Sequence, residues 1–235
     1  MDKKALRQAS YGVYIVTTQD GDTKAGCVIN TFTQVTSTPA RVTIALNKEN
    51  FTTGIVQKAG AFEVSVLAED AAMELIGRFG FHSGTDIDKF ADTDWAADSE
   101  GLPFVREGAV AHVGARVIDT VDVGTHLVFV GEVYDAEDLS DATPMTYAYY
   151  HQVKGGKTPP KASSYDAEEA AAPASASAPA VDAPAPAADA PAVGKTTKWR
   201  CTICGAVVEI EGDELPADFT CPICGMGPEV FERID

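Results

Sequence analysis

Apolar and polar residues alternate through most of the first 135 positions, with the two-residue period of strands rather than the longer period of helices. Residues 11–18 (Tyr11-Gly-Val-Tyr-Ile-Val-Thr-Thr18) read as a strand, and Gln19-Asp-Gly-Asp22 as a hairpin turn of the Asp-Gly kind. A second strand is expected over 23–33, a third over 41–47 after the break at Pro39, and another over 62–67. Residues 109–122 and 127–134 look like a long antiparallel pair. Helical spacing is confined to 3–10, 51–58 and 70–79. Short strands, hairpin turns and isolated helices predict a mainly β fold with a few helices, a barrel rather than a doubly wound sheet. The chain has no G-x-G-x-x-G and no P-loop, so a dinucleotide or flavin would be held without a Rossmann or Walker cradle.

The alternation stops near residue 161. Residues 162–194 are dominated by Ala, Pro, Ser and Asp, with Tyr165 as the only aromatic. Such a stretch cannot bury enough surface to offset the entropy of ordering, which predicts a disordered or polyproline-II-like linker between a domain of 1–161 and a small one of 195–235. The net charge of −17 divides as −8, −5 and −4 over these three parts. No part is basic, which argues against a nucleic-acid partner. No apolar run is long enough to span a bilayer, and Met1-Asp-Lys-Lys-Ala5 does not open a signal peptide. The expected location is a reducing cytoplasm.

Four of the five cysteines form two pairs, Cys201-Thr-Ile-Cys204-Gly205 and Cys221-Pro-Ile-Cys224-Gly225. Four thiolates in two such knuckles suit one tetrahedral soft metal, zinc or iron, and spacing alone does not separate the two. The glycines supply the positive φ that closes a knuckle and turn backbone N–H groups toward sulfur. Trp199, Phe219 and Phe231 are a large aromatic complement for so small a module, enough to bury the sulfurs. Cys27 is left over, in the apolar run Gly26-Cys-Val-Ile29, and reads as a buried structural thiol.

The run Leu215-Pro-Ala-Asp-Phe-Thr-Cys221-Pro-Ile-Cys224-Gly225, with Glu229-Val-Phe-Glu232 after it, closely resembles the rubredoxin signature. That resemblance implies one iron held by Cys201, Cys204, Cys221 and Cys224. The segment between the knuckles is shorter than in most free rubredoxins, and Phe219 stands where tryptophan is commoner. In the first domain, Ala25-Gly-Cys-Val-Ile-Asn-Thr-Phe-Thr-Gln-Val-Thr36 with Pro39, then Ala45-Leu-Asn-Lys48 and Phe51-Thr52, resembles the flavin reductase family and its FMN-binding split β-barrel. Gly124-Thr-His-Leu-Val-Phe-Val-Gly-Glu-Val133 resembles that family's histidine-bearing strand. Together the two parts resemble the high-molecular-weight rubredoxins of anaerobic bacteria, which implies electron passage from NADH or NADPH through FMN to iron. The resemblance further implies a homodimer and an acceptor redox protein, a flavodiiron O2 or NO reductase.

The flavin resemblance assigns the polar residues. It places Asn30, Thr31 and Gln34 along the ribityl chain and flavin edge, against the plainer reading of strand residues facing water. Asn47, Lys48, Asn50 and Thr52 offer a cation, amides and a hydroxyl where a helix begins, which suits the FMN phosphate; an ordinary N-cap by Asn50 explains part of this equally well. By analogy Arg78 and Phe79 lie against the isoalloxazine, although Arg78 at a helix end also suits the last carbonyls. His126 falls near flavin and nicotinamide, or is simply a hairpin histidine. Hydride transfer between two cofactors needs no protein acid, so no catalytic base is assigned. The run Tyr147-Ala-Tyr-Tyr-His151 and on to Pro160 either covers a neighbouring subunit's flavin or closes its own domain.

Overall fold

The computed structural model describes residues 5, 8–159, 162–164, 196–201, 207–216, 219–221 and 227–234. The helix expected over 3–10 falls largely outside them, as do most of the linker, Cys204 and Cys224.

The first nine elements run β1 (Tyr14–Asp20), β2 (Thr23–Ile29), β3 (Thr33–Ser37), β4 (Ala40–Asn47), α1 (Phe51–Ala59), β5 (Ala61–Leu67), α2 (Met73–Phe81), β6 (Trp95–Ala97) and β7 (Pro103–Val105). Then come β8 (Ala109–Asp122), β9 (His126–Asp138) and α3 (Tyr147–Gln152). A seven-stranded antiparallel sheet has the order β2-β1-β5-β8-β9-β4-β3. Its geometry forces curvature. Laid flat, the outer strands β2 and β3 would lie about 29 Å apart, yet only Asn30, Thr31 and Phe32 join them. Four Cα steps span at most roughly 14 Å. The sheet therefore curls until its two edges approach, as the predicted barrel requires, and among the described residues β2 and β3 do not pair, which leaves the barrel split.

Alternation fills the interior. Val42, Ile44 and Leu46 of β4 meet Phe62 and Val64 of β5 and Phe129 of β9 in one buried cluster. β1 is buried on both faces: Val16 joins that cluster, while Ile15 joins Leu75, Ile76 and Phe79 of α2 outside the barrel. α1 starts at Asn50, whose side chain accepts from Thr52 N–H, and stops at Gly60, whose φ of 69° suits a residue without Cβ.

Several boundaries differ from the expectations. β1 starts at Tyr14 rather than Tyr11, because residues 11–13 instead bond to the chain before α3 (Val13 N to Met145 O, Tyr147 N to Tyr11 O). The loop of the first hairpin is Gly21-Asp22, with Gly21 at φ 55° in its first position and Asp20 still paired to Thr23. The strand expected over 23–33 ends at Ile29 as β2; Asn30 to Phe32 then cross to the opposite edge of the sheet, where β3, which was not expected, begins at Thr33. α2 is displaced C-terminally to Met73–Phe81. The short hairpin β6–β7 and helix α3 were not foreseen.

That hairpin covers polar ground. Glu63 of β5 is fully buried, with Oε2 3.1 Å from His112 Nδ1 and, among the described residues, no hydrogen-bond partner for Oε1. The His112 ring stacks on Phe104 of β7 at 3.9 Å. Burial first, and then Asp98 and Asp135, push the Glu63 carboxyl up to about 10 from 4.5.

The second module is a three-stranded sheet, β10 (Thr196–Cys201), β11 (Val207–Glu211) and β12 (Phe231–Arg233), in the order β11-β10-β12. No helix among the described residues is long and apolar enough to cross a membrane.

The Glu63 carboxyl yields a pH test. Between its unfolded and folded values the native state holds one proton more than the unfolded chain, so stability falls as pH rises, by up to about 1.4 kcal/mol per pH unit. Glu63→Gln should flatten that slope between pH 5 and 9 in urea titrations and gain stability most at the alkaline end; an unchanged slope would show that Glu63 ionises without cost.

Candidate functional site

The barrel's split end builds a cleft from four directions. Cys27 to Asn30 at the end of β2 supply one wall, and Leu46 and Asn47 at the end of β4 another. Asn50 caps α1, and Ile76, Gly80 and Phe81 of α2 close the far side. The β4–β9 ladder sets Asn47 directly opposite His126, so both reach the cleft in register. Thr31 fixes the crossing: its hydroxyl donates to Ala45 O at 3.0 Å and accepts from Ala45 N at 3.1 Å, bonding the turn to β4 just beside Asn30.

Across the mouth lie α3 and the segment that follows it. Tyr147, Tyr150, Lys157 and Pro159 line the cleft. Asn30, only 7% exposed, donates from Nδ2 to Ser164 Oγ and accepts at Oδ1 from Ser163 Oγ, both at 3.1 Å. Tyr147 Oη is 2.6 Å from Thr158 Oγ1 and 3.1 Å from Ser164 Oγ. The run after the barrel thus closes over its own domain's cleft in this structure.

Of the residues expected at a flavin, Asn30, Asn47, Asn50 and His126 converge on this cleft. Thr52 is buried just beneath, its N–H held by Asn50. The others do not line it. Thr31 is spent on the Ala45 clamp. Gln34 is exposed on the edge strand β3, bonded to Thr36 O. Lys48 pairs with Asp122 at 2.6 Å near the β8–β9 turn, and that contact holds the exposed Asp122 carboxyl below the usual range. Arg78 turns away to Thr93 Oγ1 at 2.8 Å and to Asp92 O. Phe79 is buried in the core against Phe90. Within α2, Phe79 packs into the core and Phe81, two residues on, takes the cleft.

A second, more polar cleft of about 380 Å³ adjoins the first, since Gly26 and Phe51 line it where Cys27 and Asn50 line the other. Its remaining wall includes Lys24, Thr85 and Lys89. Lys89, which the sequence reading missed, is buried and donates to Gly26 O at 2.9 Å and Phe79 O at 3.0 Å, bonding α2 to β2. Burial pulls its ammonium down to about 8, and nearby Cys27 opposes that. Burial also pushes the Cys27 thiol up, against the opposing pull of Lys89, Thr52 and Asn50.

In the second module, Cys201 ends β10 opposite Phe231, and Cys201 and Cys221 are buried in one cluster with Val230 and Phe231. Phe219 meets Phe231 edge-on at 5.3 Å. Trp199 instead donates from Nε1 to buried Thr197 at 2.9 Å and is not among the described side chains against the thiols. The cluster also includes Met73 and Phe81 of α2.

Comparison with known proteins falls along the same division. The family described as flavin reductase like domain matches residues 6–156, and that described as rubrerythrin, rubredoxin-like domain matches 199–232. Over the full length of both chains, the sequence is 39% identical to a high molecular weight rubredoxin of Moorella thermoacetica. A ferric-chelate reductase (NAD(P)H) of Archaeoglobus fulgidus is 47% identical over 70% of this chain and 98% of its own. Among solved structures, the NADH:FAD oxidoreductase SgcE6 of Streptomyces globisporus C-1027 superposes with a TM-score of 0.55 at 29% identity, covering 63% of this chain and 89% of that one.

The buried Cys27 carries a direct expectation. In the folded protein at pH 8 it should escape a soluble maleimide over hours and label fully in denaturant, as read by peptide mass mapping; rapid labelling of the native chain would show an open, ionisable thiol.

Proposed function

Because the chain belongs to the flavin reductase-like family through residues 6–156 and continues into a rubredoxin-like domain, we propose that it is an NAD(P)H-oxidising electron-transfer flavoprotein. On this reading it binds FMN without a covalent bond and passes electrons to an iron held by Cys201, Cys204, Cys221 and Cys224. FMN, when bound, accepts a hydride and releases single electrons, which is the conversion needed between nicotinamide and iron.

The observation that carries the reading is the composition of the cleft. Asn30, Asn47, Asn50 and His126 ring an apolar floor of Val28, Ile29, Leu46 and Ile76. Amides and an imidazole beside apolar side chains fit a heterocycle with an apolar face and polar edges. Asn30 offers both a donor and an acceptor, now engaged by Ser163 and Ser164, to the edge of such a ring. The N-terminus of α1 beside Asn50 favours the phosphate. His126 stays oriented through Thr125 Oγ1, 2.9 Å from its Nδ1. Tyr147 and Tyr150 line the mouth.

The donor set of the small module fits iron as well. Cys201 and Cys221, one from each Cys-x-x-Cys, are buried together beside Phe231, the low-dielectric setting a thiolate redox centre uses. The acceptor is a separate redox protein, for which a flavodiiron reductase is the reading the sequence resemblance supports. The working unit is a homodimer in the cytoplasm, and the boundaries are those of the three segments 1–161, 162–194 and 195–235.

An anaerobic visible spectrum before and after NADH tests this. Flavin and ferric-thiolate bands should both be present and both bleach; zinc in place of iron, or bands unmoved by NADH or NADPH, would overturn it. Cys201→Ala should remove the ferric bands while flavin still bleaches. Asn30→Ala should weaken FMN binding about tenfold, the loss of one to two hydrogen bonds, measured by fluorescence titration.

A further inference from the structure

One side chain belongs to both halves of the molecule. Phe81, at the end of α2, lines the cleft, and with Met73 from the helix's first residue it packs against the Cys201–Cys221 cluster. A surface helix ordinarily buries one apolar stripe. α2 already spends Leu75, Ile76 and Phe79 on the core. Met73 and Phe81 are eight residues apart, about 80° around the axis; both are partly buried and pack against the Cys201–Cys221 cluster, with Met73 touching the edge of the core as well.

We propose that the Met73–Phe81 face of α2 is the docking seat for the chain's own metal-binding module, with Phe81 the positioning residue that joins cleft and thiols. This rests on the electron-transfer reading above. The occupant is identified by what touches the seat: the end of the module where Cys201 closes β10 and Cys221 lies beside it. Residues 165–195 lie between the described parts of the chain, and in extended form they reach on the order of 100 Å. The tether is thus too long to impose this seat, and the apolar contact selects it. Seated there, the module's thiols share Phe81 with the cleft, and one NADH suffices for two ferric centres, giving NAD⁺, one proton and two ferrous centres.

The chain has four methionines, Met1, Met73, Met145 and Met226, which makes a mutation-free test. With methyl-¹³C methionine, the Met73 signal should broaden or shift strongly in the iron-loaded protein relative to the zinc-loaded one. Met226, two residues after Cys224, reports that iron is in place. A Met73 line equally sharp in both forms, with Met226 broadened, overturns the seat. A Met73 line that broadens only when labelled zinc-loaded chains are mixed with unlabelled iron-loaded ones moves the seat to a second copy and overturns the within-chain proposal. Met73→Glu places a carboxylate at the helix N-terminus, where it is tolerated, and facing a module of net charge −4. It should leave flavin bleaching by NADH unchanged in stopped flow and slow bleaching of the ferric bands at least tenfold; equal rates count against the seat. Flavin that fails to bleach overturns the electron-transfer reading instead, and the Met73 line then decides the seat by itself.

Discussion

Three residues, Asn30 to Phe32, must carry the chain from one edge of a seven-stranded sheet to the other. This constraint sets the rest. It obliges the sheet to curl, which brings the ends of β2, β4 and β9 to one rim and turns a sheet edge into a cleft. The Thr31–Ala45 pair of hydrogen bonds holds the crossing to β4. Asn30 is buried as a result, and a buried amide needs partners; Ser163 and Ser164 supply them.

Much of this was legible in the sequence where alternation is strict. β4 shows it most plainly, since its inward residues Val42, Ile44 and Leu46 are all buried, and β8 has the bounds expected of it, 109–122. β3 was hidden because all five of its residues are exposed, and an edge strand without a buried face leaves no apolar period to read. The break at Asn30 was hidden because β-rich sequence runs through it; only the remote pairing of Thr31 with Ala45 shows that the strand ends.

The cleft divides in the same way. Asn30, Asn47, Asn50 and His126 stand at strand and helix ends, where a motif can be recognised. Arg78 and Phe79 do not line the cleft, because Arg78 bonds Asp92 and Thr93 and Phe79 packs on Phe90, partners that lie beyond the helix and leave no local pattern to read. Lys89 lies 63 residues from Gly26, and the serines of 163–164 more than 130 from Asn30, beyond any local pattern. α2 has a double role, with Leu75 and Phe79 toward the barrel, Phe81 toward the thiols, and Met73 touching both.

The β4–β9 ladder has a kinetic consequence. It joins Arg41 to Glu132 and Asn47 to His126, so the two sides of the cleft are separated by about eighty residues of chain. Loop-closure entropy delays such contacts until the intervening strands are in place. A ligand that needs both Asn47 and His126 therefore meets no partial site on the nascent chain, and its binding energy favours only the finished barrel. A cofactor held by both residues would enter after folding and not guide it.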